Sequence, residues 1–145
     1  MQFKWIDGHQ SSDFQEALTI RQRVFIEEQG FSYEEEMDEL DPLCWHLIGY
    51  LNGQAVATAR IYFLNSTHLK LQRIAVLPDF RGQQLGQKLL AEIDHWASQR
   101  GVQQLHLGAQ DQAIGFYEQA GYSVSDPVGY LEGHVPHHDM VKNLK

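Results

Sequence analysis

Three groups of residues in this 145-residue chain have types and spacings that suit them to chemistry. The first is the basic, glycine-bearing turn "RGQQLG", Arg81 to Gly86, set between an apolar run and a helix-forming one. A helix N-terminus offers unpaired backbone N–H groups and about half a positive charge, so such a turn can hold a phosphate with few basic side chains. Arg81 would add charge, Gly82 would free the main chain, and Gly86 would let something pack closely on the first helical turn. The alternative is that these residues merely make a tight strand-to-helix connection. The turn is neither GxxxxGK(S/T) nor GxGxxG, so a different phosphate ligand is implied.

The second group is acidic. "EEQGFSYEEEMDELD", Glu27 to Asp41, holds eight of the nineteen acidic residues and no base. It reads either as a solvated loop or as a rim that attracts a cationic small molecule or an amine-bearing side chain. The third group is histidine. "HVPHH" carries His134, His137 and His138, but the chain has no HExxH, no second cysteine and no carboxylate at metal spacing, so no metal site is expected. The lone cysteine, Cys44, stands beside Trp45 and reads as a packing residue.

The elements that must position these residues follow from hydrophobic period. "FKWI" is a short strand. From Ser12 or Asp13 as N-cap, Phe14, Leu18, Val24 and Phe25 share a helical face that Gly30 ends. Asn52-Gly53 sits between two strand-forming runs as a hairpin turn, and "NSTH" leads to a third strand, "LKLQRIAVL". Leu85, Leu89, Ile93 and Trp96 or Ala97 stripe the next helix, which Gly101 stops. "QQLHLGA" is a strand, "DQAIGFYEQAG" a helix ended by Gly121, and the tail has strand-like pieces at Tyr122 to Val124 and His138 to Leu144. This order predicts a mixed α/β (α+β) sheet with helices on both faces. A parallel step must join "QRIAVL" to "QQLHLG", because a whole helix connects them. In such sheets ligands bind beyond the carboxyl ends of the strands, where "RGQQLG" falls.

Composition sets the outer bounds. A chain of this length, 43% hydrophobic, predicts one domain over residues 1–145. The formal net charge of −8 argues against binding nucleic acid or anionic lipid. No apolar run suits a signal peptide or a membrane span, and a single thiol suits a reducing compartment, so a cytoplasmic protein is expected.

"IAVLPDFRGQQLGQKLL", followed after the next helix by "LHLGAQDQAIGFYEQAGY", resembles the GNAT superfamily of acetyl-CoA-dependent N-acetyltransferases. Its usual pattern is a V-x-P-x-x-R-G-x-G-x-G turn and an N-x-x-A-x-x-F-Y-x-x-x-G-F/Y helix. "RQRVFIEEQGFSYEEEMDELD", His46 and "YLEGHVPHHDM" resemble the small bacterial ElaA/YjcF-like branch, so the likeness spans nearly the whole chain. Two positions depart from the pattern: Gln84 replaces the middle glycine and Gln110 the asparagine.

The resemblance implies a mostly antiparallel sheet flanked by helices, with a splayed parallel strand pair forming a cofactor cleft for acetyl-CoA. The backbone of Ile74, Ala75 and Val76 would pair with the pantetheine arm. Amides of Arg81, Gly82, Gln83, Gln84, Leu85 and Gly86 would hold the pyrophosphate, and Gln110 and Phe116 would line the other wall. Tyr117 matches the tyrosine near the thioester sulfur, where a phenol can donate to the leaving thiolate; as a residue alone it reads as a core aromatic, and the context "AIGFYEQAGY" reverses that. Acetyl transfer to a primary amine by direct attack is the implied reaction, on a small-molecule or peptidyl acceptor.

Relatives often place a carboxylate before the turn, where this chain has Gln72. Glu28, Glu36, Asp38 and His46 are then the candidates for a base, or for acceptor-site residues. His137 falls where the branch has a histidine, and either faces the acceptor or is structural. The substitutions at Gln72 and Gln84 keep open a non-catalytic acyl-CoA-binding regulatory module. Nothing distinguishes a monomer from a homodimer.

Overall fold

The computed structural model describes residues 1–144. Strand β1 (Gln2–Asp7) leads to helix α1 (Phe14–Arg21), which runs on as a π-helix over Gln22–Glu28, and a short α2 (Tyr33–Glu36) follows. Strands β2 (Trp45–Leu51), β3 (Gln54–Phe63) and β4 (His68–Val76) come next, then α3 (Leu85–Gln99), β5 (Gln104–Gln110) and α4 (Ile114–Gln119). Three strands close the chain: β6 (Ser123–Val124), β7 (Tyr130–Glu132) and β8 (Val135–Asn143). They form one eight-stranded sheet ordered β1-β2-β3-β4-β5-β8-β6, with β7 also on β8. Every pairing is antiparallel except β4 with β5. The mixed sheet and its single parallel step are as the element order predicts.

Helices cover both faces, because alternate residues of a strand point to opposite sides. On one side the α3 stripe Leu85, Leu89, Ile93, Trp96 and Ala97 is buried against Leu47, Ala59, Leu71 and Leu105. On the other, Ala17 of α1 packs on Ile6 and Ile48, and Ile20 and Val24 on Ala75 and Leu77. The face of α1 differs from the one expected: Phe14, Ala17, Ile20, Arg21 and Val24 are buried, while Leu18 and Phe25 are only partly so. A pattern drawn through large apolar residues passes over Ala17 and Arg21. The wider π-helical turns, with bonds such as Gln29 N–H to the Val24 carbonyl, then break the 3.6 period. Asp13 does occupy the N-cap position, but its side chain caps nothing and pairs instead with Lys4 at 3.0 Å.

The acidic stretch is not the open loop of the solvated reading. Ser32 and Glu35 close a capping box at the start of α2, a signature already present as Ser-x-x-Glu. Strand β7 was likewise absent from the expected elements. Its three residues pair with β8 over Tyr130↔His137 to Glu132↔Val135, too short a segment to show alternation.

One irregularity shapes the site. Arg73 has φ +53°, and the β3–β4 register slips between Thr58 and Arg60, which marks a bulge in β4. The parallel pairing with β5 runs from His68↔Gln104 only to Leu71↔Leu107, just before the bulge. Beyond it β4 stays on β3, through Ala75↔Thr58 and Val76↔Ala57, while β5 stays on β8 through Gln110↔His137. The two central strands therefore part and leave a cleft at their carboxyl ends.

Candidate active site

The parted strands open a cleft of about 930 Å³. One wall is the free side of Ile74, Ala75 and Val76. Leu77 N–H bonds to the Val56 carbonyl, so by strand alternation the N–H and carbonyl of Val76 point away from β3; the N–H is left to the cleft, while the carbonyl accepts from Arg81 Nε. At the floor, α3 begins without any side-chain cap and with no acidic residue in its first turn. Its leading amides thus remain available to an anion.

Each residue of the turn has a distinct reason. Gly82 stands at φ +81° with nothing within 4 Å of a would-be Cβ, so it is there for its dihedral and not for close packing. Gln84 takes the left-handed conformation, φ 62° and ψ 21°, in which glycine is the unstrained residue. The backbone at the departure from the family pattern thus has the geometry the missing glycine would supply. Gly86 is a contact residue: a Cβ there would meet Phe116 Cζ at 2.8 Å. Phe116 lies across α3, and its carbonyl accepts from Gln87 Nε2 at 3.1 Å, tying α4 to the start of α3.

Arg81 differs from its expected role. Its guanidinium makes a two-point ion pair with Glu28, at 2.6 and 2.7 Å, and its Nε donates to the Val76 carbonyl at 3.0 Å. Its charge is spent on joining the turn to the end of the π-helix, which leaves anion attraction to the α3 amides. The same pair holds the Glu28 carboxyl below its ordinary range and keeps Glu28 out of the cleft lining. Gln83 does not line the cleft either. Gln110 does, and its Nε2 donates to Gln29 Oε1 at 2.7 Å, so it links β5 to the end of the π-helix.

Tyr117 lines the cleft with only 8% of its surface exposed, and its ring meets Phe116 edge-on at 5.0 Å. Burial pushes its phenol pKa up, so the hydroxyl stays protonated.

Glu36 and Asp38 also line the cleft, but arginines hold them. Glu36 pairs with Arg21 and with Arg73, the latter at 2.8 Å. Asp38 takes two 2.7 Å bonds from Arg60, which also bonds Gln72 and Asp41. Arg21 reaches Asp41 at 2.8 Å. Three arginines and three carboxylates thus cancel behind the part of the cleft lined by Glu36, Asp38 and Arg73. Burial raises the Asp38 pKa, but the Arg60 bond and charge outweigh it and hold the group at about 2. A carboxylate held so far down is a poor base, Glu36 is tied up by Arg21 and Arg73, and this part of the acidic stretch presents no net negative rim.

His46 corrects a further expectation. It is 1% exposed, does not line the cleft, and donates from Nε2 to the Asp41 carbonyl at 3.0 Å. Burial lowers its pKa more than that bond raises it, which suits a neutral packing histidine against Phe14. His137, by contrast, is buried in the cleft wall, with Tyr130 stacked on it. Among the described residues no group of three or more His, Cys, Asp or Glu could hold a metal. Cys44 is fully buried, and desolvation pushes its thiol up to about 11, which removes it as a nucleophile. No helix is long and apolar enough to cross a membrane among the described residues.

Residues 13–122 match the sequence model of the Acetyltransferase (GNAT) family. The chain is 37% identical over 136 residues to YyaT of Bacillus subtilis, an uncharacterized protein, covering 92% of this chain and 90% of the relative. It is 30% identical over 140 residues to YjcF of the same organism, an uncharacterized N-acetyltransferase, covering 97% and 99%. The crystal structure of Escherichia coli ElaA superposes with a TM-score of 0.82 at 27% identity, covering 97% of this chain and 99% of that one.

Proposed function

Because this chain belongs to the GNAT acetyltransferase family, and so uses acetyl-CoA as cosubstrate, we propose that it transfers the acetyl group to a primary amine by direct attack. The observation that carries this reading is the coincidence in one cleft of a free strand edge, an uncapped helix N-terminus and a buried, protonated tyrosine. The α3 amides would hold the pyrophosphate, and Val76 N–H would meet the thioester oxygen, where negative charge develops in the transition state. Ile74 and Val76 would take the pantetheine arm as an added strand. Gln110 and Phe116 support the opposite wall.

Tyr117 donates a hydrogen bond to the sulfur as the C–S bond breaks. A phenol this reluctant to ionise stabilises the thiolate while keeping its own proton, or passes one on only as another arrives from the attacking nitrogen. Tyr117→Phe is expected to lower kcat by about 100-fold, the low end of acid–base contributions, with the acetyl-CoA Kd within about twofold by calorimetry. Loss of binding instead would make the tyrosine a packing residue. We take a small-molecule or peptidyl amine as the acceptor, and a cytoplasmic setting, where thiols stay reduced, fits the lone Cys44.

A further inference from the structure

We propose that His137 takes the proton from the acceptor amine, with Glu132 stabilising the imidazolium that results. This rests on the amine-acetylation reading above. Attack requires a neutral nitrogen, while a primary amine at neutral pH is mostly ammonium. The residue before the turn, Gln72, accepts no proton, and its Oε1 is bonded to Arg60.

The described carboxylates that line the cleft are Glu35, Glu36, Asp38 and Glu132. Glu36 and Asp38 are held by arginines, and Glu35 is bonded to Ser32 in the capping box. His137 is 4% exposed, and its Nδ1 lies 2.8 Å from the Val135 carbonyl. A carbonyl only accepts, so Nδ1 carries the hydrogen and the lone pair sits on Nε2. Glu132 Oε2 stands 3.4 Å from that nitrogen. The carboxylate gains nothing from a bare lone pair and would attract the imidazolium that proton transfer to Nε2 forms. Imidazole as a class matches neutral pH better than an exposed carboxylate does. On the same wall Tyr130 donates to Asp139 at 2.7 Å, His138 faces Asp111, and His134 Nε2 lies 2.8 Å from the Gln29 carbonyl.

The ammonium gives one proton to Nε2, which later releases it to solvent. Its nitrogen lone pair forms the C–N bond to the thioester carbon, the C–S bond breaks, and the thiolate takes the second N–H proton by way of Tyr117.

The test compares two probe acceptors, a strongly basic alkylamine (cadaverine) and a weakly basic aromatic amine (aniline), with wild type, His137→Gln and Glu132→Gln. A general base typically contributes about 100-fold or more, so His137→Gln should lose that much kcat/KM for cadaverine and less than about fivefold for aniline, which is already neutral. Added imidazole should restore part of the rate to His137→Ala. Glu132 is exposed, so Glu132→Gln leaves the fold intact and should lower cadaverine turnover several-fold. Equal losses with both amines, or no loss in either variant, would overturn the assignment. Wild type that binds acetyl-CoA by calorimetry but acetylates neither amine would instead overturn the amine-acetylation reading, and this one with it.

Discussion

Gly86 shows how a single missing methyl group sets the site. Phe116 fills the space where its Cβ would be, and Gln87 fixes the same segment through the Phe116 carbonyl. Gly86→Ala is expected to destabilise the fold by about 1–3 kcal/mol, the usual cost of overpacking, and to push the ring toward the cleft. Chemical denaturation and acetyl-CoA titration of the same variant would read both effects; full stability with unchanged affinity would mean that the ring has room to turn aside. Gly82 and Gln84 act differently: both hold positive φ, and a Cβ at Gly82 would meet nothing within 4 Å. A glutamine at φ 62° carries strain that glycine would not, yet it keeps the same backbone N–H, the one the proposed pyrophosphate site would use.

At the scale of elements, the decisive join is between α1, α2 and the middle of β3 and β4. Arg21 comes from the end of α1, Arg60 from β3 and Arg73 from the β4 bulge; Glu36, Asp38 and Asp41 come from the acidic stretch. The stretch is therefore drawn inward by arginines that are far away in sequence, and it backs the bulge that parts β4 from β5. Arg60 is wholly buried and bonds Asp38, Asp41 and Gln72. Arg60→Met should cost about 3–5 kcal/mol, because it strands carboxylates that stay charged. Its acetyl-CoA affinity should fall as well, if the bulge depends on this join. A loss below about 1 kcal/mol in urea melts would show the arginine to be replaceable packing.

For the whole molecule, the same network fixes the response to acid. Asp38 is held at about 2, below its ordinary value, and Asp41 is also lowered, burial being outweighed by Arg21 and Arg60. A carboxyl whose folded pKa is depressed adds stability above its unfolded pKa and loses it as pH falls toward the folded one. Stability measured by urea unfolding should hold down to about pH 4 and then fall steeply toward about pH 2. Protonation leaves three guanidiniums packed together that cannot discharge. Asp38→Asn should flatten that fall; an unchanged acid limb would place the sensitive groups elsewhere.

The mixed sheet, its parallel step, the α3 stripe and the Asn52-Gly53 hairpin were legible in the sequence because each is set by local period and turn chemistry; Asn52 and Gly53 do take positive φ, as that hairpin turn requires. Tyr117 and the turn from Arg81 to Gly86, which the family pattern marks, come to lie on the cleft, Gln83 excepted. Tertiary structure alone decided which charged residues face which. Arg81 is spent on Glu28, His46 is packed away, Glu36 and Asp38 are neutralised, and His137 is brought beside Gln110 and Glu132. The physical reason is one of range. Helix and strand signals come from neighbours a few positions apart, whereas a carboxylate's partner, and hence its chemistry, is fixed by strands and helices that meet only when the sheet closes.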